Sequence, residues 1–121
     1  MASNNSTKSE LDRKLLSEAA LSASRIAGLG NNALAQILGV SDNVVIEIEE
    51  GQYLVNPDRG EWARAVMVVD MFRRLYAICA EDESVIRKWI ENENNDLGGV
   101  PITIIQEKGG LDRVVEYLHS I

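Results

Sequence analysis

The run Leu34-Ala35-Gln36-Ile37-Leu38-Gly39-Val40-Ser41, continued by Asp42-Asn43-Val44-Val45-Ile46-Glu47-Ile48-Glu49-Glu50-Gly51, constrains this fold more than any other stretch. Two short helices that cross steeply need a small residue at their contact, and Ala35 supplies it. The tight turn between them needs a residue tolerant of positive φ, and Gly39 follows four positions later. Leu34, Leu38, Val40, Val45 and Ile48 then share the inward face at helical offsets. Ser41 can cap the second helix and Gly51 can end it. The spacing predicts a helix-turn-helix, a unit that often reads DNA. An αα-hairpin without DNA function fits the same pattern, because fold does not imply function.

The second helix of the pair carries Asp42, Glu47, Glu49 and Glu50 and no base. Proteins gain most of their non-specific DNA affinity by neutralising phosphates. An acid facing phosphate costs on the order of 1 kcal/mol near a surface. Ser41, Asp42, Asn43 and Glu47 are the candidate DNA contacts, since a carboxylate can accept from cytosine N4. Compensation would have to come from Lys8, Arg13, Lys14 and Arg25, or from Arg59 and Arg64.

At 121 residues the chain suffices for one domain with a core, or for two very small modules sharing one. No apolar run approaches the roughly 18 residues of a membrane span, and the first residues lack a secretory layout. The one cysteine, Cys79, excludes an internal disulfide and a cysteine-rich zinc site. A soluble, cytoplasmic protein is expected. Net charge is −7, and residues 81–121 hold nine acids against four bases, a balance suited to a basic partner.

Residues 1–8 are polar and expected to be disordered. Ser9 is a plausible cap for a helix to about Ala27, with Leu11, Leu15, Ala19 and Ile26 among its apolar positions and Gly28 ending it. Asn56-Pro57 breaks the chain after the helix pair, and Asp58 with Glu61 resembles a capping box. From about Arg59 to Ala80, Trp62, Ala65, Val66, Val69, Phe72, Tyr76 and Cys79 form an apolar stripe wide enough for an internal and a dimer contact. This makes Cys79 a core or interface thiol. A helix from about Asp82 to Glu93 places Val85, Ile86, Trp89 and Ile90 inward. A turn-rich loop with Leu97 as anchor follows, then a short helix from Pro101 through Ile102 to Lys108. After Gly109-Gly110, a last helix aligns Leu111, Val114, Val115 and Leu118. The expected fold class is all-α, with residues 9–80 as helix-turn-helix and dimerisation region and 81–121 as a small helical domain.

Three segments in order carry a resemblance: Arg87-Lys88-Trp89-Ile90, Asn94-Asn95-Asp96-Leu97-Gly98-Gly99-Val100-Pro101, and Gly109-Gly110-Leu111-Asp112-Arg113-Val114-Val115-Glu116-Tyr117-Leu118. Together with the upstream helix pair they resemble the Xre/ParS/MbcA family of antitoxins over about residues 10–121. The resemblance implies an antitoxin whose C-terminal domain covers the active-site cleft of a cognate toxin. That toxin would be of the RES or ParT type, with an ADP-ribosyltransferase-like fold that consumes NAD. It also implies a homodimer, with operator DNA as a further partner. Trp89, Leu97 and Pro101 would hold the toxin-binding surface in shape. Arg87, Lys88, Asn92, Asn94 and Asn95 would lie closest to the cleft, and Gly98-Gly99 would let backbone approach. Trp89 can equally be core, and Asn94 and Asn95 simple turn residues. In relatives the recognition helix generally carries arginines, where this chain has acids.

An enzyme is the poorest fit. The sole histidine, His119, lies near the end and reads as solvated, and no carboxylate pair, phosphate loop or nucleophile has supporting context. No cofactor and no metal site are expected. A repressor acting mainly on operator DNA, or an interaction module that keeps the helix pair as a dimerisation scaffold, are the alternatives to an antitoxin.

Overall fold

The computed structural model describes residues 9–121, so the expectation for residues 1–8 falls outside it. The described residues form seven helices: α1 (Glu10–Ile26), α2 (Asn31–Leu38), α3 (Asp42–Glu49), α4 (Gly60–Ile78), α5 (Glu83–Glu91), α6 (Pro101–Ile104) and α7 (Gly110–Ser120). The fold is all-α, as expected.

The long helix α4 is the axis, with α1 and α7 packed against it; α2 and α3 sit on α1 and α4, and α5 and α6 complete the other end. Arg13, early in α1, donates to the carbonyls of Leu54 and Val55 in the segment between α3 and α4, and Arg87, on α5, donates to the carbonyl of Ile26 at the end of α1.

Ser9 begins α1 with a capping box, its hydroxyl accepting from the Asp12 amide while the Asp12 carboxylate accepts from the Ser9 amide. The inward face of α1 differs from the expected one: Ser17, Ala20, Ala23 and Ser24 are buried, and Leu11 and Leu15 are exposed. Small residues let α1 approach closely, and both serines are satisfied. Ser17 Oγ donates to the Arg13 carbonyl and accepts from the Val55 amide; Ser24 Oγ donates to the Leu21 carbonyl.

Between α2 and α3, Gly39 takes φ +75, as the turn requires. Leu34, Ala35, Leu38, Val45 and Ile48 are buried together, and Val40 is half-buried. Ser41 Oγ accepts from the Val44 amide and caps α3.

No capping box opens α4. Its cap is Arg59, without a side-chain bond, and Glu61 is buried, accepting from the Tyr53 hydroxyl at 2.7 Å and the Asn56 amide at 2.8 Å. Two nearby donors on the 52–57 loop need an acceptor more than the helix end needs a cap. The buried stripe of α4 is Ala65, Val68, Met71, Leu75 and Cys79; Val66 and Tyr76 are exposed. The stripe is rotated from the expected one because α1, α2 and α7 all pack on this helix and cover the face that Val68, Met71 and Leu75 share. Burial, then Asp82, pushes the Cys79 thiol pKa up.

Ala80 and Glu81 both take positive φ, ending α4 without a glycine, and Asp82 caps α5 by accepting from the Ser84 and Val85 amides. Further on, α6 is only Pro101–Ile104, shorter than expected, with Pro101 in its first turn. Leu111, Val114 and Leu118 of α7 are buried and Val115 is half-buried, as their spacing predicts.

Candidate toxin-binding site

The outer face of α5 carries Val85, Lys88, Trp89 and Asn92, spaced three, four and seven residues from the first, and therefore aligned along one ridge. With Glu93 and Asn94 they line an open groove of about 280 Å³. Val85, expected inward, is 41% exposed, and the core positions of α5 are Ile86 and Ile90. Trp89 is half-buried: it packs against the core and also walls the groove.

Beyond the groove the chain makes a compact turn. The Asn94 amide donates to the Gly99 carbonyl at 2.8 Å, and the Gly98 amide donates to the Asn94 carbonyl at 2.9 Å. The Asn94 side chain accepts from the Leu97 amide at 3.0 Å, so Asn94 is a turn residue as well as a groove residue. Leu97 is buried beneath the turn, Gly98 takes φ +76, and Pro101 is buried where α6 starts. Gly99 leaves Ile104 Cδ1 only 3.5 Å from where its Cβ would stand. Asn95 is exposed at the outer edge.

Of the candidate toxin contacts, Lys88, Trp89, Asn92 and Asn94 meet at the groove, and Leu97, Gly98, Gly99 and Pro101 shape the turn beside it. Arg87 points the other way. Its Nη1 donates to the Ile26 carbonyl at 3.0 Å, and its stem lies 3.2 Å from where a Cβ on Gly28 would stand.

The turn is held from behind by residues the sequence reading did not single out. Arg113 Nη2 donates to the Leu97 carbonyl, and the Tyr117 hydroxyl donates to Asp96 Oδ2 at 2.9 Å. The bond to Asp96 holds the Tyr117 pKa up. These partners lie 16 and 21 residues apart, so no local pattern announces them. The usable signal is their spacing: Arg113 and Tyr117 are one turn apart on a flank of α7.

Residues 74–121 match the antitoxin Xre/MbcA/ParS C-terminal toxin-binding domain. The segment is similar to that antitoxin domain. It takes in the end of α4 and all of α5, the turn, α6 and α7, so the groove and its supports lie inside the matched segment. No similar sequence is found among curated proteins.

The candidate DNA contacts lie on or before α3. Ser41 is committed to its cap, Asp42 accepts from Asn32 Nδ2 at 3.3 Å, Asn43 is exposed and Glu47 is half-buried. Arg25 is the base that reaches this helix, and it pairs with Glu49 at 3.0 Å. Arg13 and Arg64 are engaged with the backbone, Arg64 at 3.5 Å from the Ile37 carbonyl, and Arg59 borders a groove with Ser41 and Val44. Lys14 is exposed on α1, and Lys8 lies outside the described residues. His119 is exposed, as expected, with Nε2 2.7 Å from Asp70 Oδ2 and Nδ1 3.2 Å from Arg74 Nη2. No helix among the described residues is long and apolar enough to cross a membrane.

Proposed function

We propose that this chain is the antitoxin of a type II toxin–antitoxin pair. It neutralises an ADP-ribosyltransferase-like, NAD-consuming toxin of the RES or ParT type by lying over its active-site cleft. The observation that carries this reading is the toxin-binding domain at residues 74–121, with its ridge of Lys88, Trp89 and Asn92 beside the Asn94–Gly99 turn. Residues 81–121 make the contacts, and residues 9–80 are the scaffold. Inhibition is steric: an acidic, asparagine-bearing surface denies NAD access, in the cytoplasm, with no catalysis or cofactor on the antitoxin side. The apolar outer side of α4, with Val66 and Tyr76 exposed, supports a homodimer in the free protein.

Co-expression with the product of the neighbouring gene tests the reading. Growth should be rescued and the two proteins should co-purify. Asn95→Ala and Trp89→Ala should weaken the complex while the fold persists, since neither side chain is sealed in the core. Full neutralisation by both folded variants would place the interface elsewhere.

Binding to operator DNA is a second reading, favoured by the α2–α3 pair with its glycine turn and serine cap. The acids of α3 weigh against it, since the neighbouring base Arg25 is already paired with Glu49. A promoter titration at low salt decides this: a palindromic site bound with steep salt dependence supports autoregulation, and no binding removes it.

A further inference from the structure

We propose that Arg113 and Tyr117 are positioning residues for toxin binding, fixing the Asn94–Gly99 turn in its binding shape from the side away from the partner; this rests on the toxin-binding reading above. Neither residue lines the groove of Lys88, Trp89 and Asn92. Each grips the turn at a different point, Arg113 at the Leu97 carbonyl and Tyr117 at the Asp96 carboxylate.

Such a clamp has a physical purpose here. The turn runs through a positive-φ glycine and displays short polar side chains, so on its own it samples many shapes. A partner that selects one shape must bear the cost of ordering it, and a turn fixed beforehand removes that cost. Bonds within the turn close it onto itself, but they do not set where it stands relative to α5. The bonds from α7 do. On its other flank α7 is tied to α4 by His119, which meets Asp70 and Arg74. The turn is therefore referenced to the central helix, as is the groove on α5, and the two present one continuous surface.

The test combines amide hydrogen exchange with binding kinetics on the full chain, using the purified product of the neighbouring gene as probe. In Tyr117→Phe and Arg113→Met, exchange at the amides of Leu97, Gly98 and Gly99 should accelerate, while that at Val114 and Leu118 stays at the wild-type rate. The Kd should rise about 3- to 10-fold, the change expected for one hydrogen bond of ordinary net strength. Asp96→Ala should behave like Tyr117→Phe, and Asp96→Asn, which keeps an acceptor oxygen, should restore both readouts. A purely structural role would move the α7 amides as well and would not show this rescue. Unchanged exchange in both α7 variants overturns the clamp, and faster exchange at an unchanged Kd overturns its role in binding. If the wild type itself does not bind the probe, the toxin reading falls and the affinity claim falls with it, while the exchange data still decide whether the clamp exists.

Discussion

Gly110 opens α7 and is buried, and its replacement by alanine gives a sharp test of the packing in the C-terminal segment. A Cβ at this position would overlap the carbonyl oxygen of Ile104 and lie 2.6 Å from its carbonyl carbon. Both are backbone atoms, so no rotamer change relieves the clash. Restoring an ordinary contact of about 3.5 Å to that oxygen requires α6 and α7 to part by roughly 2 Å. That separation would open a junction where Ile104, Ile105 and Leu111 are buried. Overpacking of this kind costs about 3 kcal/mol at the upper end of its usual range, against the gain of about 0.5 kcal/mol that alanine brings at a first helical position. A net loss of about 2.5 kcal/mol is expected. Gly60 is the control: it also opens a helix, α4, and nothing lies within 4 Å of its Cβ position. Gly60→Ala should instead gain about 0.5 kcal/mol, largely by restricting the unfolded chain. Urea denaturation of the two variants and the wild type measures both changes. A Gly110→Ala protein as stable as the wild type would refute the close approach of α6 and α7.

Glu61→Ala should destabilise the fold by about 2 kcal/mol, because it strands the Tyr53 hydroxyl and the Asn56 amide; an unchanged urea midpoint would mean that water replaces the carboxylate. Asp82 titrates low, chiefly through its bond from the Ser84 hydroxyl, so its stabilisation is complete above the ordinary aspartate range and is lost as pH falls through its depressed value. Asp82→Asn should therefore flatten the acid limb of a stability-versus-pH curve, and an identical limb would assign that dependence to other carboxylates. Cys79, 6% exposed with its thiol pKa raised by burial, should react far more slowly with a thiol reagent in the native protein than in denaturant. Equal rates would take it out of the core.

The parts of this fold legible in the sequence are those set by local rules. Gly39 must turn with positive φ, Ser41 must cap, Pro101 suits a first turn, and Leu111, Val114 and Leu118 repeat at helical offsets. Each of these rests on neighbours a few residues away. What escaped depends on distant neighbours. The apolar residues of α4 extend around most of the helix, and only the placement of α1, α2 and α7 decides that Val68 and Leu75 go inside while Val66 and Tyr76 stay out. In α1 the larger residues Leu11 and Leu15 read as the core face. The fold instead buries Ala20 and Ala23, because close approach to α4 favours small side chains there. Glu61 read as a cap and is an internal acceptor for a loop eight residues upstream at Tyr53. At the site, periodicity found the core positions Ile86 and Ile90 of α5 but also put Val85 inside, where the structure leaves it on the outer ridge, while the hold of α7 on the turn spans separations that no periodicity covers.

Arginine is where counting charge along the sequence departs furthest from the folded surface. Arg13, Arg64, Arg87 and Arg113 each donate to backbone carbonyls, those of Leu54 and Val55, Ile37, Ile26 and Leu97. A guanidinium suits this task, since its rigid fork of donors can satisfy carbonyls at helix ends and turns that lack amide partners. These four groups join separate elements, so their first role is to fix the fold rather than to meet an outside anion. The consequence differs at the two ends of the molecule. Around α3, two of the bases that might have offset its acids are engaged elsewhere, which deepens the case against phosphate contact. Over residues 81–121, Arg87 and Arg113 are engaged in the same way, which leaves Lys88 and Lys108 as the bases not bonded to a backbone carbonyl, against nine acids. Lys88 stands on the groove ridge with Trp89 and Asn92, so under the proposed function it is the cation that would meet the toxin. Reversing its charge should therefore disturb the complex, whereas changing Arg87 should act first on the joint between α1 and α5. Comparing binding and thermal stability of Lys88→Glu and Arg87→Met separates the two roles: equal losses of stability would mean that Lys88 is structural as well.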